Sequence, residues 1–466
     1  MARPAKTRTI FLCDSCGADT PRWEGRCPSC GEWNTLSEMN EPSAVPERAS
    51  WARTAESIRL SDVSTHEAPR LRFSSAEVDR VLGGGMVPGS LALIAGDPGI
   101  GKSTLLLRLA ADVGHGASVL YATGEESAVQ VKMRADRMDV RSDGLHLLTT
   151  TSLDNVMSQI DTLKPGMVIV DSIQTLYDEG ATSEPGSVAQ IRQCTRRLME
   201  RGKADNLPIL LSGHVTKGGD IAGPRVMEHM VDVVLYMEGD PVSSWRLLRS
   251  VKNRFGSTNE VGVFEMTGKG LSDVEDPSLA FIAERAEQAV GSVVIATLEG
   301  SRPLLAEVQA LTSPSNLPAP RRVASGVDLN RVLLVCAVMG RRAGVGLNGQ
   351  DIVVNVTGGL RTSETAADLG VALAIASSAR DMPIASGVAA AGEVGLSGEV
   401  RAVPQLERRI SEAARLGLSK FIVPGRGRRQ RTHEGGLEVV PVSTVRQALG
   451  AALERPEGGP RKSGDE

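Results

Sequence analysis

The sequence predicts an α/β chain in three parts: a small metal-held ribbon, a phosphate-loop domain on a mostly parallel sheet, and a C-terminal α+β domain. Three observations carry that expectation. Cys13, Cys16, Cys27 and Cys30 form two C-x-x-C pairs separated by ten residues, a spacing that lets four thiolates close a tetrahedron around zinc. The run Gly96-Asp97-Pro98-Gly99-Ile100-Gly101-Lys102-Ser103-Thr104 satisfies the phosphate-loop pattern G-x-x-x-x-G-K-[ST] in full. From Leu71 to about Asp273, short β-rich runs alternate with helical periodicity, the pattern of a βαβ series with helices on both faces of the sheet.

Length and composition agree with several cores. At 466 residues the chain exceeds what one core supports, and 41% hydrophobic residues with 3% aromatics and 50 glycines suit α/β layers. No uninterrupted apolar run reaches bilayer length, so a soluble protein is expected, with no membrane partner. The formal net charge of -4 exerts no global pull on nucleic acid, so any polyanion must be held by local basic patches.

The ribbon is expected over residues 10–36. A pair of disulfides is the alternative reading of its cysteines. Zinc is favoured because no secretory signal is seen and because Cys194 and Cys336 stand alone in helical stretches, where they read as buried small hydrophobes in a reducing compartment. Gly17 and Gly31 follow the second cysteine of each pair, where a knuckle turns backbone amides toward a thiolate. Trp23 and Trp33 are expected to pack a core too small to fold without metal. Residues 37–70, rich in Pro, Ser, Glu and Arg, read as a linker.

In the phosphate-loop domain, residues 71–273, strands are expected at 91–95, 118–123, 167–171, 208–212 and 231–237, with helices at 102–113, 153–163 and 188–201. The C-terminal domain, residues 284–453, is expected to hold strands at 293–298, 304–311 and 352–356 and helices at 329–342, 364–380 and 405–416. The tail, 455–466, is polar and reads as disordered.

The phosphate loop carries the clearest chemistry. Its glycines let successive N–H groups face the phosphates of ATP, Lys102 can reach the terminal phosphates, and Ser103 can ligate magnesium. Turnover also needs a carboxylate for the magnesium and a group that polarises water. Four apolar residues ending in Asp171 suggest a buried strand delivering the first. Glu125 and Glu126, after a glycine turn, offer the second, with Glu125 preferred; the alternative is a pair of acids at a helix N-terminus. His214 ends another strand, where it could sense the γ-phosphate.

The cysteine spacing, Leu82-Gly-Gly-Gly-Met-Val-Pro-Gly-Ser90, Gly124-Glu-Glu-Ser127 and above all Lys252-Asn253-Arg254-Phe255-Gly256 together resemble the bacterial RadA/Sms DNA repair family over essentially the whole chain. That resemblance implies a zinc finger, a RecA-like ATPase core and a C-terminal domain similar to that of Lon protease. It also implies a cytoplasmic, nucleoid-associated ring, a hexamer, that hydrolyses ATP, binds single-stranded and branched DNA and promotes branch migration beside the RecA recombinase. The alternative is a non-motor adaptor in which ATP switches a ring that recruits RecA. Lys252 and Arg254, one residue apart on one side of an extended chain, could point at a neighbouring subunit's γ-phosphate.

DNA contacts are less legible, since no basic stripe interleaved with aromatics is seen. The candidates are the segment 178–187, Lys217 and Arg225 in a glycine-rich stretch, the run Arg426, Arg428, Arg429 and Arg431, and Arg192, Arg196, Arg197 and Arg201 on one helix. Proteolysis of the Lon kind needs a serine and a lysine, and the matching positions hold Ala366 and Glu407. The C-terminal domain is therefore expected to be a scaffold and not a protease.

Overall fold

The computed structural model describes residues 7–13, 18–42, 59, 61, 69–181, 183–214, 224–239, 244–282, 289–385, 387–425 and 432–453. It divides into two compact units, residues 1–273 and 274–466. The linker from 43 to 68, apart from residues 59 and 61, the loop at 215–223 and the tail lie outside the described residues.

The ribbon is a three-stranded antiparallel sheet of β1 (Thr7–Cys13), β2 (Asp19–Thr20) and β3 (Leu36–Pro42), with β1 in the centre. β3 continues beyond the expected end of the ribbon at residue 36 because it pairs along the whole of β1, from Cys13↔Leu36 to Thr7↔Pro42. Its core consists of Cys13, Cys27 and Leu36, with Phe11 and Ala18 packed against them. Trp23 and Trp33 are not in it: they are 57% and 67% exposed, contrary to the expectation. So small a hairpin encloses cysteine and leucine side chains but has no room to wrap an indole.

The phosphate-loop domain opens with α1 (Ala76–Leu82), capped by Ser75, whose hydroxyl accepts from Val78 N–H, and closed by Gly83 in the left-handed region. There follow β4 (Leu91–Gly96), α2 (Lys102–Gly114), β5 (Val119–Thr123), α3 (Ala128–Arg137), β6 (Leu145–Thr149), α4 (Leu153–Leu163), β7 (Met167–Asp171), α5 (Val188–Asp205), β8 (Ile209–His214), α6 (Pro224–Met230), β9 (Val233–Glu238), β10 (Trp245–Asn253), β11 (Val261–Thr267) and β12 (Gly270–Asp273). They make one nine-stranded sheet in the order β12-β11-β10-β9-β4-β8-β7-β5-β6. From β9 to β6 every pairing is parallel, and β10, β11 and β12 add an antiparallel extension. Strands β4, β5 and β7 are buried throughout, which is why they read as unbroken apolar runs. One core on each face holds the sheet: Leu105, Leu106, Leu109 and Val113 of α2 on one side, Val156 and Ile160 of α4 with Ile191 and Leu198 of α5 on the other. Cys194 is fully buried in the second of these cores, as expected of a small hydrophobe.

The C-terminal unit contains α7 (Pro277–Ile282), β13 (Ser292–Glu299), β14 (Arg302–Pro314), β15 (Arg322–Ser325), α8 (Leu329–Val338), β16 (Gln350–Val356), α9 (Asp368–Arg380), β17 (Val388–Ala390), β18 (Glu393–Val394), β19 (Val400–Arg401), α10 (Leu406–Arg415), β20 (Lys420–Pro424), β21 (Thr432–Glu434), β22 (Leu437–Val442) and α11 (Val445–Ala452). Its main sheet is mixed, in the order β15-β16-β14-β13-β17-β20-β22-β21. Along β13, Ile295 faces α9, where a Cβ on Gly370 would lie 2.1 Å from its Cγ2, while Val294 and Ala296 face the cluster containing Ile410 and Ala413 of α10. Toward β15 one face is left bare, and Leu311, Val353 and Val323 line up there across three paired strands at 66%, 42% and 49% exposure.

Candidate nucleotide and metal sites

Parallel strands end at one edge of their sheet, so β4, β5, β7 and β8 deliver their C-terminal residues together. Gly96 of β4 pairs with His214 of β8, and Thr123 of β5 with Asp171 of β7. β8 lies between the phosphate-loop strand β4 and the acid-bearing strand β7.

The loop itself requires glycine at its first and last backbone turns. Gly96 has φ 155° and a Cβ there would fall 2.5 Å from Met237 O; Gly101 has φ 119° and caps α2. Asp97, Pro98, Gly99 and Ile100 complete the turn, and Ser103 and Thr104 enter the first turn of the helix with their N–H groups directed to its open end. Lys102 is 4% exposed and its Nζ donates to Gly96 O at 2.8 Å and Asp97 O at 2.9 Å. Burial holds its ammonium below the usual lysine range, against the pull of the Asp171, Glu125 and Asp97 carboxylates.

Asp171 is buried and both its oxygens accept from neutral hydroxyls: Tyr121 donates to Oδ2 at 2.8 Å and Ser212 to Oδ1 at 2.5 Å. Tyr121 is itself fully buried, and burial with the neighbouring Asp171 charge keeps its phenol well above the ordinary range, so it stays a proton donor. Sequence reasoning missed both hydroxyls, because each lies within an apolar strand run and only the β5-β7-β8 register brings them to Asp171.

Glu125 Oε1 accepts from Ser172 Oγ and lies 3.1 Å from His214 Nε2. The His214 contact lowers its pKa to about 2, helped by the Ser172 bond and the charges of His214 and Lys102 and opposed by burial. Gln174 Nε2 reaches His214 O at 3.4 Å. Glu126 is turned away: its Oε1 pairs with Arg134 of α3, whose first turn is closed by a Ser127–Gln130 capping box. The structure thus separates two acids that sequence alone left together. Glu125 faces the loop lysine and His214, and Glu126 belongs to the start of α3.

Lys252 and Arg254 are held within their own chain. Lys252 Nζ donates to the carbonyls of Glu228 (2.6 Å), His229 (3.2 Å) and Val231 (2.8 Å), closing the C-terminal end of α6, and Arg254 Nε is 3.7 Å from Asp232. A bulge between Ser250 and Lys252 in the β9–β10 pairing marks this turn. The two strings most telling in the sequence also meet: Asn253 Nδ2 donates to Leu82 O at 3.2 Å, and Arg70 bridges Gly83 O and Phe255 O at 2.8 Å each.

Of the expected DNA contacts, Lys217 and the run 426–431 lie outside the described residues, as does the side chain of Arg225. Three of the four candidate arginines on α5 are ion-paired: Arg197 with Asp154 and Asp178, Arg201 with Asp161 and Asp205, and Arg196 with Glu200, the carboxylates coming from α4, the 178 loop and α5 itself. Asp178, at the start of the 178–187 candidate, is buried in that network.

At the ribbon, the sulfurs of Cys13, Cys27 and Cys30 all lie within 4.8 Å of one another, and Cys13 Sγ is 3.7 Å from Cys30 Sγ. Tetrahedral zinc with Zn–S bonds of about 2.3 Å sets its sulfurs about 3.8 Å apart, so the three fit. Gly31, at φ 79°, donates its N–H to Cys27 O at 2.9 Å. Cys16 lies outside the described residues. In the C-terminal unit, Ala366 is buried and Glu407 sits in the first turn of α10. Beside them Glu364 is saturated by the fully buried Arg409, Leu298 N–H and the Thr297 hydroxyl, and Arg409 also donates to Ala296 O and Pro404 O. Among the described residues no helix is long and apolar enough to cross a membrane.

Comparison with known proteins agrees part by part. A profile described as an AAA domain matches residues 54–220, one described as a rubredoxin metal-binding domain matches 11–38, and one described as subunit ChlI of Mg-chelatase matches 335–426. The first matches a P-loop core and the last the mixed α/β C-terminal domain. Whole-chain similarity is higher still. Proteins named DNA repair protein RadA are 48% identical over 455 residues in Bacillus subtilis (96% of this chain, 99% of the relative), 46% over 453 in Listeria monocytogenes (96% and 99%) and 46% over 453 in Pseudomonas aeruginosa (97% and 100%).

Proposed function

Because the chain belongs to the RadA family of DNA repair proteins, whose AAA domain implies ATP hydrolysis, we propose that it is a DNA-stimulated ATPase that translocates on single strands and drives branch migration of recombination intermediates. The observation that carries this reading is the contact of Glu125 with His214 at 3.1 Å. His214 ends β8, and three residues later the chain reaches Lys217, the first of the proposed DNA contacts. One strand therefore joins the water-activating carboxylate to the segment that would feel DNA.

The residues divide the work by position. Lys102 and the backbone N–H groups of residues 99–104 would bind the triphosphate of ATP. Ser103 and Asp171 would hold magnesium, which when bound neutralises phosphate charge; Tyr121 and Ser212 fix the Asp171 carboxylate in place without neutralising it. Glu125 orients the attacking water and accepts its proton. The contacts that hold Glu125 also make it a weak base at about 2, so displacement of His214 strengthens it at the moment of reaction. Glu126 has no part in this step.

Structural zinc on Cys13, Cys16, Cys27 and Cys30 would hold the ribbon, whose own core is too slight to fold unaided. The bare row of Leu311, Val353 and Val323 supports assembly through the C-terminal unit, in the ring, a hexamer by resemblance, that such a motor requires. In that ring Lys252 and Arg254 would act on a neighbour's nucleotide, and Lys252 would have to leave the α6 carbonyls to do so, coupling hydrolysis to movement of α6. With Ala366 and Glu407 at the dyad positions, the C-terminal unit serves as scaffold and not as a protease. The site of action is the cytoplasm, on nucleoid DNA, beside the RecA recombinase.

The test is ATP hydrolysis with and without single-stranded DNA, in the intact protein and in Lys102→Ala. Stimulation that disappears in the variant is the expected result. Turnover indifferent to DNA would overturn the motor reading in favour of an ATP-switched adaptor.

A further inference from the structure

The two ribbon tryptophans that sequence assigned to a core stand instead on its surface, and they stand together. A Cβ on Gly25 would lie 3.7 Å from Trp33 Cζ3 and 3.8 Å from Trp23 Cη2, so the indoles converge over the bare backbone of that glycine. The Arg26↔Trp33 bridge folds the chain back, and Asn34 N–H donates to Gly25 O at 2.9 Å, fixing the place where the rings meet. Arg26 is positioned twice over: its Nε donates to Gly31 O at 2.7 Å, and its guanidinium lies 5.9 Å from the centroid of the Trp33 ring.

The surroundings discriminate between partners. The ribbon core is made of Cys13, Cys27 and Leu36, so neither indole supports the fold. Among the described residues 21–35 the exposed charges are Arg22, Glu24, Arg26 and Glu32, the exposed prolines are Pro21 and Pro28, and there is no leucine, isoleucine, valine or methionine. A surface of two flat rings with a guanidinium beside one of them, two acidic and two basic neighbours and no branched aliphatic side chain, offers little to a protein groove. It suits unpaired bases, whose π-faces stack on tryptophan whatever their sequence.

We infer that Trp23 and Trp33, with Arg26, form a base-stacking platform for single-stranded DNA on the ribbon. This deepens the DNA-dependent reading above and rests on it. Because Glu24 and Glu32 offset Arg22 and Arg26, the platform contributes stacking and not counterion release, and its removal leaves the salt dependence of binding unchanged.

The experiment titrates the full-length protein against a fluorescently labelled oligothymidylate over a range of salt, with zinc content measured for each variant. Trp33→Ala and Trp23→Ala should each weaken binding about tenfold with the same salt slope, while duplex affinity is unaltered. Trp33→Phe should retain most of the affinity that Trp33→Leu loses. Equal affinities for the Phe and Leu variants, whether or not the alanine variants keep their zinc, would overturn the platform. So would unchanged single-strand affinity in a Trp23→Ala/Trp33→Ala variant that no longer binds a recombinase, which would assign the surface to a protein. A wild-type chain that does not bind the oligonucleotide would remove the DNA reading itself.

Discussion

The ATPase site and the corner of the C-terminal unit around Glu364 are both carboxylate sites beside a sheet, and they treat charge in opposite ways. Asp171 is held by two hydroxyls and Glu125 by a hydroxyl and an imidazole, so each is oriented by groups that leave its negative charge available. Glu364 is met by the guanidinium of Arg409, a side chain with no exposure at all, and its remaining capacity is filled by Leu298 N–H and the Thr297 hydroxyl. A carboxylate kept for chemistry is positioned by dipoles, and one kept for architecture is neutralised by a cation.

That contrast sets the scale of what each side chain does. The largest effect falls on Glu125→Gln, which keeps the site's shape and removes its base: turnover should drop about a thousandfold with nucleotide affinity retained, as read by single-turnover hydrolysis and by binding of a fluorescent ATP analogue. Loss of binding as well would mean that Glu125 is a structural residue like Glu364. Arg409→Ala is the converse. Stripping the cation from a buried pair costs about 3–5 kcal/mol, seen as a lower unfolding midpoint for the C-terminal unit, and Glu364→Gln/Arg409→Met should recover much of it.

A smaller change is expected from Tyr121→Phe. It deletes one hydrogen bond to a charged acceptor, so turnover at limiting magnesium should fall about tenfold and recover as magnesium is raised. A variant insensitive to magnesium would show that the hydroxyl does not serve Asp171. The least change is in pH dependence. Glu125 is depressed to about 2 and so stays ionised, and able to accept a proton, until pH falls through that value. In His214→Ala its principal stabilising contact is gone, and the acidic limb of the hydrolysis profile should move up toward the ordinary glutamate range. An unmoved limb would place the control of Glu125 in Ser172 and Lys102.

What could be read from the sequence follows the same division. The phosphate loop was legible because its chemistry is written in nine contiguous residues whose order admits few other uses. Asp171 and His214 were legible because an apolar run ending in a polar residue marks the tip of a buried strand. Tyr121 and Ser212 were not, since a tyrosine amid Val119, Leu120 and Ala122 looks like core until the β5–β7 pairing, with Ile169 opposite it, brings its hydroxyl to Asp171 two residues along. The ion pairs of the α5 arginines were hidden for a related reason: the partners Asp154, Asp161 and Asp178 come from other segments, and a row of charge in one helix says nothing of the carboxylates that fold against it. In the antiparallel extension, Arg246, Arg249 and Lys252 interrupt the apolar pattern of β10 and blur its bounds. The ribbon tryptophans were noticed but given the wrong side, ten residues of sequence separation concealing that they share one turn.

Strand β8 offers a last consequence. Ser212 and His214 are two residues apart, so their side chains leave the strand on the same face, one fastened to Asp171, proposed to hold magnesium, and the other to Glu125, proposed to activate water. The two halves of the reaction centre are geared to a single shaft. In the proposed motor a displacement of β8 would therefore move the surroundings of both carboxylates at once, as a clutch engages both of its plates together.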